Sequence, residues 1–243
     1  MVTADTSTSD PTSSSSADGT GSGRSYVSRL RAEQAAATRD RVVRAAAELF
    51  AERGYAGTTL PAIGRRAGVS TETVQNHGPK VELLRAAIAV VSFGAGPGAA
   101  VADTELGRRL TEASSAADAA RRSAEVLSVV NETSHGVWMA FSEASRNDEA
   151  LTVELRRLTE EIAEQTRIAL EQWRSGGWLR EDLPIAELAR RAGAIGSVEL
   201  WDRLVRVEGH TPEAYRELIA GLLLDALTVR GRADEFPVAE RSH

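Results

Sequence analysis

The feature that most constrains this chain of 243 residues is a run of three short helical segments with a tight glycine turn, in residues 38–84. The first segment has apolar residues at three- and four-residue spacing, which predicts one buried helix face. That face consists of Val42, Val43, Ala46, Ala47, Leu49 and Phe50. Thr38 is predicted to cap this helix, and Gly54 to end it.

The second segment and the turn after it also carry local signals. Thr59 is a suitable N-cap, and the missing amide of Pro61 is tolerated in a first helical turn. Ile63 and Ala67 supply the buried side. Gly68 permits a positive φ angle, Val69 fills the core and Ser70 caps the next helix. These residues predict a tight helix-turn-helix.

The third segment, residues 71–77, is short and polar, and Val74 is its one large apolar residue. A short polar helix of this kind is more typical of one that lies in a DNA groove than of one buried in a protein core. Its predicted exposed face comprises Thr71, Glu72, Thr73, Gln75, Asn76 and His77. The sequence therefore predicts a module that reads DNA through its third helix.

At these residues the chain resembles the TetR family of one-component transcriptional regulators. The matching residues are Ala47, Glu48, Leu49, Phe50, Gly54, Tyr55, Thr58, Thr59, Ile63, Ala67, Gly68, Val69, Ser70, Lys80, Leu83 and Leu84. Two positions depart from the family's pattern. Gln75 stands where a tyrosine is usual, and Gly78 stands where a phenylalanine is usual, in a turn one residue shorter.

The predicted fold is all-α, because no alternating strand pattern occurs anywhere in the chain. We expect a disordered tail over residues 1–23, a three-helix DNA-binding domain over 24–79, a larger helical ligand-binding and dimerisation domain over 80–230, and a flexible C-terminus over 231–243. Within the larger domain, helical segments are predicted near 80–92, 103–113, 116–130, 134–145, 148–174, 184–207 and 211–229.

Charge distribution supports a DNA partner. Residues 24–88 contain 11 Lys and Arg against 6 Asp and Glu, whereas the whole chain has a net charge of -6. Residues 24–88 therefore carry a net positive charge, which favours contact with the phosphates of DNA. The predicted DNA contacts are Thr59, Arg65, Thr71, Thr73, Gln75, Asn76, His77 and Lys80. Of these, Thr73 and Gln75 are predicted to reach base edges, and Thr59, His77 and Lys80 to reach phosphates.

The last two helices are candidates for a homodimer interface. One stripe comprises Leu188, Ala192, Ile195, Gly196, Val198 and Leu200, and the other comprises Ile219, Leu222, Leu223, Ala226 and Leu227. Four such helices from two subunits would bury both stripes. Periodicity alone also allows both stripes to serve the core of a single chain.

A ligand site is predicted where aromatic and polar residues are densest in the larger domain. The candidate residues are Phe93, Val130, Asn131, His135, Trp138, Met139, Phe141, Glu143, Trp173 and Trp201. An apolar cavity with few polar groups is typical of small-molecule sites. The alternative is that the same residues form an ordinary packed core. The resemblance implies that a bound effector shifts the fourth helix and releases DNA.

The sequence disfavours catalysis, cofactors and membrane insertion. His77, His135, His210 and His243 lack metal-ligand spacing, and the chain has neither a phosphate-binding glycine motif nor a cysteine. The longest uncharged run, residues 86–102, is interrupted by glycines and a proline, and no secretory signal is visible. We expect a cytoplasmic regulator, and the resemblance implies a repressor, with a TetR-like small-molecule- or partner-binding protein of weakened operator affinity as the alternative.

Overall fold

The computed structural model describes residues 21–94 and 104–228, apart from the side chains of residues 21–29 and Phe93. The helices are α1 (Gly21–Gly57), α2 (Leu60–Ala67), α3 (Thr71–Gln75), α4 (Lys80–Phe93), α5 (Glu105–Thr111), α6 (Ala116–Ser145), α7 (Glu149–Ser175), α8 (Ile185–Ile195), α9 (Val198–Trp201) and α10 (Pro212–Leu227). A π-helical turn, Asp202–Val207, follows α9. No strand occurs in these described ranges, so the all-α prediction is confirmed.

The chain divides into two compact units, Met1–Asp40 and Arg41–His243. The described part of the first unit is the N-terminal portion of α1. Thr38 lies inside this helix, and its hydroxyl donates to the carbonyl of Gln34 at 2.9 Å. The predicted cap at Thr38 is therefore wrong, because the strong helix formers before it extend the helix to Gly21. The tail predicted over residues 1–23 lies outside the described residues as far as residue 20, whereas residues 21–23 belong to α1, and the tail predicted over 231–243 lies outside them entirely.

The first of two hydrophobic cores lies in the second unit and holds the three-helix module. α1, α2 and α3 pack around Phe50, Ile63 and Val74, all of which are fully buried. Leu83 and Leu84 of α4 join this core, as do Val137 and Phe141 of α6. The backbone of α1 breaks at Gly54, with φ 69° and ψ 177°, as the sequence predicts. The helix-turn-helix and part of the larger domain thus share one core.

The second core lies between α6, α7, α8 and α10. Its buried members include Ala120, Ala124, Leu170, Trp173, Leu188, Trp201, Tyr215, Ile219, Leu223 and Leu227. α6 reaches both cores, since residues near its N-terminus belong to the second and residues near its C-terminus to the first. A side chain at Gly136 would place its Cβ 2.7 Å from the Cβ of Ala51, so glycine permits α6 to approach α1 closely.

Several helix bounds differ from the sequence prediction. The segments predicted at 116–130 and 134–145 form one continuous helix, α6, because Asn131 and Ser134 are buried partners of other groups and not the polar residues of a loop. The stretch predicted at 184–207 is interrupted after Ile195. Ser197 restarts the helix by accepting a hydrogen bond from the amide of Leu200 at 3.3 Å.

The predicted dimer stripes are largely buried by the chain itself. Leu188, Ala192, Val198, Ile219, Leu223 and Leu227 are all buried within the single chain. Their inward periodicity reflects the core of one chain, so these residues are not available to a partner. Of the predicted stripe residues, Leu222 is clearly exposed. No helix in the described part of the chain is long and apolar enough to cross a membrane.

Candidate nucleic-acid interface

Local caps fix the helix-turn-helix. The hydroxyl of Thr59 accepts a hydrogen bond from the amide of Ala62 at 3.3 Å, which caps α2. Gly68 takes the left-handed conformation predicted for it, with φ 68° and ψ 38°. The hydroxyl of Ser70 accepts from the amide of Thr73 at 3.0 Å, which caps α3. These three predictions are confirmed, and together they set the direction in which α3 leaves the turn.

Helix α3 is held by one side chain. Val74 is fully buried, while Glu72, Gln75 and Asn76 are exposed. The carboxylate of Glu72 and the side-chain amides of Gln75 and Asn76 form no hydrogen bond or ion pair with the described residues. A helix anchored from one side and unpaired on the other presents donors and acceptors to a partner.

The remaining predicted members of α3 are less available. Thr71, Thr73 and His77 are half-buried. The hydroxyl oxygen of Thr73 lies 2.9 Å from that of Ser70, so this hydroxyl is already engaged in the cap. Whether these side chains contact DNA stays a prediction.

Lys80 has an internal role that sequence reasoning missed. Its ammonium donates to the carbonyls of Tyr55 at 2.8 Å and Thr58 at 3.0 Å. It also lies 3.9 Å from the centroid of the Tyr55 ring, a cation-π geometry. Burial lowers the pKa of Lys80. Two of its three N–H groups are thus engaged, and contact between the third and a phosphate stays a prediction.

Thr58 closes the same turn from inside. Its side chain is fully buried, and its hydroxyl lies 3.0 Å from the carbonyl oxygen of Leu49 and 2.8 Å from that of Gly54. The hydroxyl therefore ties the residue after the break at Gly54 back to carbonyls of α1. A threonine directly before the N-cap threonine was the available signal, but a buried polar role cannot be read from spacing.

Two adjacent arginines of α2 have different surroundings. Arg66 donates to Glu48 at 2.7 Å and to Glu52 at 3.0 Å, and its hydrogen bonds to these carboxylates raise its pKa. Arg65 is exposed and forms no ion pair within the described residues. Arg65 is therefore the more available of the two for a phosphate.

The module matches a known family. The family model described as "Bacterial regulatory proteins, tetR family" matches residues 42–87, which span the end of α1 through most of α4. Residues 42–87 are a TetR-family regulatory domain. No curated protein sequence matches the chain.

Several solved structures have the same fold as this chain. A TetR-family transcriptional regulator from Rhodococcus sp. has a TM-score of 0.62 at 22% identity, covering 79% of this chain and 98% of that one. The complex of SmeT with triclosan has a TM-score of 0.58 at 25% identity, covering 80% and 93%. A transcriptional regulator from Saccharomonospora viridis in complex with choline has a TM-score of 0.59 at 18% identity, covering 80% and 100%.

The TetR-family domain belongs to a group of transcriptional regulators, which are generally not enzymes. Within residues 21–94 and 104–228, no group of three or more His, Asp or Glu side chains is placed to hold a metal ion.

Three polar residues of the predicted ligand site are paired inside the TetR-like fold. The side-chain amide of Asn131 donates to the carbonyl of Gly196 and to the hydroxyl of Tyr215, both at 3.1 Å. His135 Nε2 lies 2.7 Å from an oxygen of Asp202. Trp138 Nε1 donates to a carboxylate oxygen of Glu199 at 2.7 Å. We call Asn131, His135 and Trp138 the α6 seam, because they join α6 to residues 196–202 and to α10.

The other predicted ligand residues do not form one cluster. Phe141 is fully buried in the first core, whereas Trp173 and Trp201 are buried in the second. Val130 and Met139 are half-buried, Glu143 is exposed, and the side chain of Phe93 lies outside the described residues. The ligand set as predicted is thus spread over both cores, and its role in binding stays a prediction.

Proposed function

We propose that the protein is a transcriptional repressor that binds a palindromic operator as a homodimer and is released by a small, largely apolar effector. The observation that carries this proposal is α3, anchored by Val74 and unpaired at Glu72, Gln75 and Asn76. Amide and carboxylate groups of this kind read base edges in the major groove. Arg65 supplies a phosphate contact beside them, and Thr59 and His77 are further candidates.

Exposed apolar residues on α10 support a dimer. Leu218 is 42% exposed and Leu222 is 38% exposed, with Gly221 between them. Gly193 of α8 is also exposed, and a Cβ built at Gly193 or at Gly221 has no neighbour within 4 Å. A second copy would cover these side chains and approach closely at the glycines. A two-fold dimer holds its recognition helices about 34 to 36 Å apart, or a multiple of that, and so requires a palindromic operator.

Effector release requires that a change in the larger domain reaches α3. Two polar attachments of α4 provide this path. At its N-terminus Lys80 holds the turn of the DNA-binding module, and in its middle Arg85 donates to Glu154 at 2.8 Å and to Glu161 at 2.7 Å, both on α7. A ligand that moves α7 would therefore move α4 and the module attached to it.

The path of α7 between the two cores supports a location for the effector beside residues 161–165. This helix packs on the first core near Leu151 and on the second near Leu170, while all five residues 161–165 between them are exposed. Ile162, in this stretch, is 41% exposed and offers an apolar surface between the cores. Two neighbours were solved in complex with small molecules. To switch almost completely, an effector must favour the released state by about 5.5 kcal/mol, roughly 10⁴-fold in affinity.

A TetR-like small-molecule- or partner-binding protein with weakened operator affinity is the second candidate. Gln75 cannot supply the hydroxyl of the tyrosine usual in the family. Gly78 has φ 113°, and a Cβ built on it would lie 2.3 Å from a carboxylate oxygen of Glu82, so the usual phenylalanine would not fit here without rearrangement. The end of α3 is therefore built differently in this chain.

Fluorescence anisotropy with the full chain separates the two candidates. Labelled DNA from upstream of the protein's own gene is compared with random DNA at about 50 and 200 mM salt, where phosphate-driven binding falls steeply. A repressor binds the upstream DNA more tightly at both salt concentrations, with two protomers per site. Equal affinity for both DNAs would favour the second candidate. The matched variants Arg65→Met and Arg157→Met serve as controls, because both remove an exposed cation but only the first lies in the module.

A further inference from the structure

The helical phase of α3 places a carboxylate at the centre of its outward face. At about 100° per residue, Glu72 and Asn76 each lie about 160° around the helix from the buried Val74, whereas Thr73 and Gln75 lie about 100° to either side. Glu72 and Asn76 are exposed, as this geometry requires, and of the two flanking residues Gln75 is exposed while Thr73 is half-buried. The outermost groups of α3 are therefore an acid and an amide one turn apart.

The two groups are also chemically available. The hydroxyl of Thr73 is engaged with Ser70 at 2.9 Å. By contrast, Glu72 has no ion pair or side-chain hydrogen bond within the described residues. The acids Glu48 and Glu52 of the same module both bind Arg66. Glu72 thus remains exposed and unpaired, within the described residues, on the face that the proposed function directs to DNA.

A carboxylate on this face acts in two opposite ways. It repels the phosphates of any duplex, which weakens binding to all sequences. It accepts hydrogen bonds and donates none, so it gains only where a base edge offers a donor, and the N4 amino group of cytosine is the usual donor for Glu in the major groove. Guanine O6 and N7 and thymine O4 are acceptors and would leave the carboxylate unpaired.

We propose that Glu72 is a specificity-determining residue, which accepts a hydrogen bond from the N4 amino group of one cytosine in each operator half-site. The proposal rests on the proposed DNA-binding function. Glu72 then gives specificity mainly by lowering the affinity for sequences that lack this donor. Asn76 lies next to it and reads the neighbouring position.

The test is selection of binding sites from a randomised DNA library by the full chain and by the variants Glu72→Ala and Glu72→Gln. We expect the wild type to select a half-site with one cytosine whose preference disappears in Glu72→Ala. In Glu72→Gln the preference at the same position shifts towards adenine, which a glutamine amide pairs through N6 and N7. If both variants keep every base preference of the wild type, the proposal is overturned.

Affinities provide a second, independent readout. Glu72→Ala should bind random DNA more tightly, by a few fold, while its ratio of specific to random affinity falls about tenfold, as for the loss of one good base contact. Equal changes on both DNAs would overturn the proposal. Glu82→Ala is the charge control, since it removes one exposed acid from the first turn of α4 and should leave every base preference intact.

The outcomes also separate this proposal from the proposed function. If the wild type selects no sequence at all, DNA reading itself is wrong. If the wild type selects a motif that both Glu72 variants keep, DNA reading stands and the role of Glu72 is wrong. Thermal unfolding of each variant checks that the fold is retained, as expected for a change at an exposed position.

Discussion

Helix α3 and the α6 seam contain similar polar groups in opposite states. In α3 the side chains of Glu72, Gln75 and Asn76 are exposed and unpaired within the described residues. In the α6 seam each of the three side chains has a polar partner, at 3.1 Å for the amide nitrogen of Asn131 and at 2.7 Å for both His135 Nε2 and Trp138 Nε1. No buried side-chain nitrogen or oxygen in the described part of the chain lacks a hydrogen bond.

This contrast separates residues that bind a partner from residues that support the fold. A buried polar group that loses its partner is costly, so pairing inside the fold marks a structural role. A polar group left unpaired on an exposed, rigid helix costs the fold nothing and is free to bind. The distinction predicts a graded series of changes in the free energy of unfolding, from substitutions of paired groups to substitutions of unpaired ones.

The largest change is expected for the ion pairs between α4 and α7. Arg85→Met should lower the free energy of unfolding by about 2 kcal/mol, because the partly buried Glu154 and the more exposed Glu161 lose their common partner. Urea denaturation measures the loss. Arg157→Met is the control, since its pair with Glu161 is exposed and should contribute less than about 0.5 kcal/mol. Similar small losses in both variants would mean that Arg85 does not hold α4 to α7.

The next change is expected at the turn that Lys80 closes. Lys80→Met keeps the apolar stem but removes the donor to the carbonyls of Tyr55 and Thr58, and should lower the free energy of unfolding by about 1 to 2 kcal/mol. Arg65→Met, which removes an exposed cation, should change it by less than about 0.5 kcal/mol. Unchanged stability in Lys80→Met would contradict the internal role.

The salt dependence of DNA binding by the same two variants reports phosphate contact separately. Each phosphate contact that is lost lowers the salt slope by about one unit. We expect this decrease in Arg65→Met. The slope of Lys80→Met shows whether the third N–H of Lys80 reaches a phosphate.

A smaller and pH-dependent change is expected at the start of α6. The pKa of Asp118 is lowered: partial burial would raise it, but the amide of Ser114 and the guanidinium of Arg122 outweigh this effect. Because the folded-state pKa lies below the unfolded value, the ionised carboxylate stabilises the fold above about pH 4, and this contribution is lost as the pH falls through the folded-state pKa.

Asp118→Asn should therefore lower the free energy of unfolding by about 1 kcal/mol at pH 7, the usual size for a helix cap. Urea denaturation at pH 7 and at about pH 3 should show the gap between variant and wild type narrowing at the lower pH. The exposed Glu125 of the same helix provides the control variant Glu125→Gln, for which no gap is expected. A gap that is equal at both pH values would rule out ionisation as its cause.

The smallest change in stability is expected at Gln75. Gln75→Ala should alter the free energy of unfolding by less than about 0.5 kcal/mol, because the side chain is exposed and unpaired. It should relax the preference at one base position while leaving affinity for random DNA unchanged. Site selection followed by anisotropy measures both. An equal loss of affinity for specific and random DNA would exclude a base-reading role.

The sequence predicted the parts of the fold that depend on local chemistry. The caps at Thr59 and Ser70, the glycine at Gly68 and the buried Val74 all follow from the chemistry of single residues or short spacings. The wrong predictions concern the surroundings of a residue. Leu188 and Ile219 have the periodicity of a helix interface, but periodicity does not say whether the covering helix belongs to the same chain.

The candidate site was predicted only in part for the same reason. Exposure of Gln75 and Asn76 followed from the polar character of the helix. The internal bonds of Lys80 could not be predicted, because they join residues far apart in sequence. The prominence of Glu72 could have been derived from the position of Val74 in the helix, which places the acid on the opposite side.

Two asparagines provide the most direct test of the distinction between α3 and the α6 seam. Asn76→Ala and Asn131→Ala remove the same amide from an exposed helix and from a buried seam, and each variant is measured for urea unfolding and for binding to selected DNA. We predict that Asn76→Ala loses about tenfold in preference for selected DNA with stability unchanged within about 0.5 kcal/mol. Asn131→Ala should lose about 2 kcal/mol of stability, because Tyr215 and Gly196 lose a buried partner, while folded protein keeps its DNA preference. If Asn76→Ala instead destabilises the fold, or if Asn131→Ala changes base preference, the division between a binding helix and a structural seam is wrong.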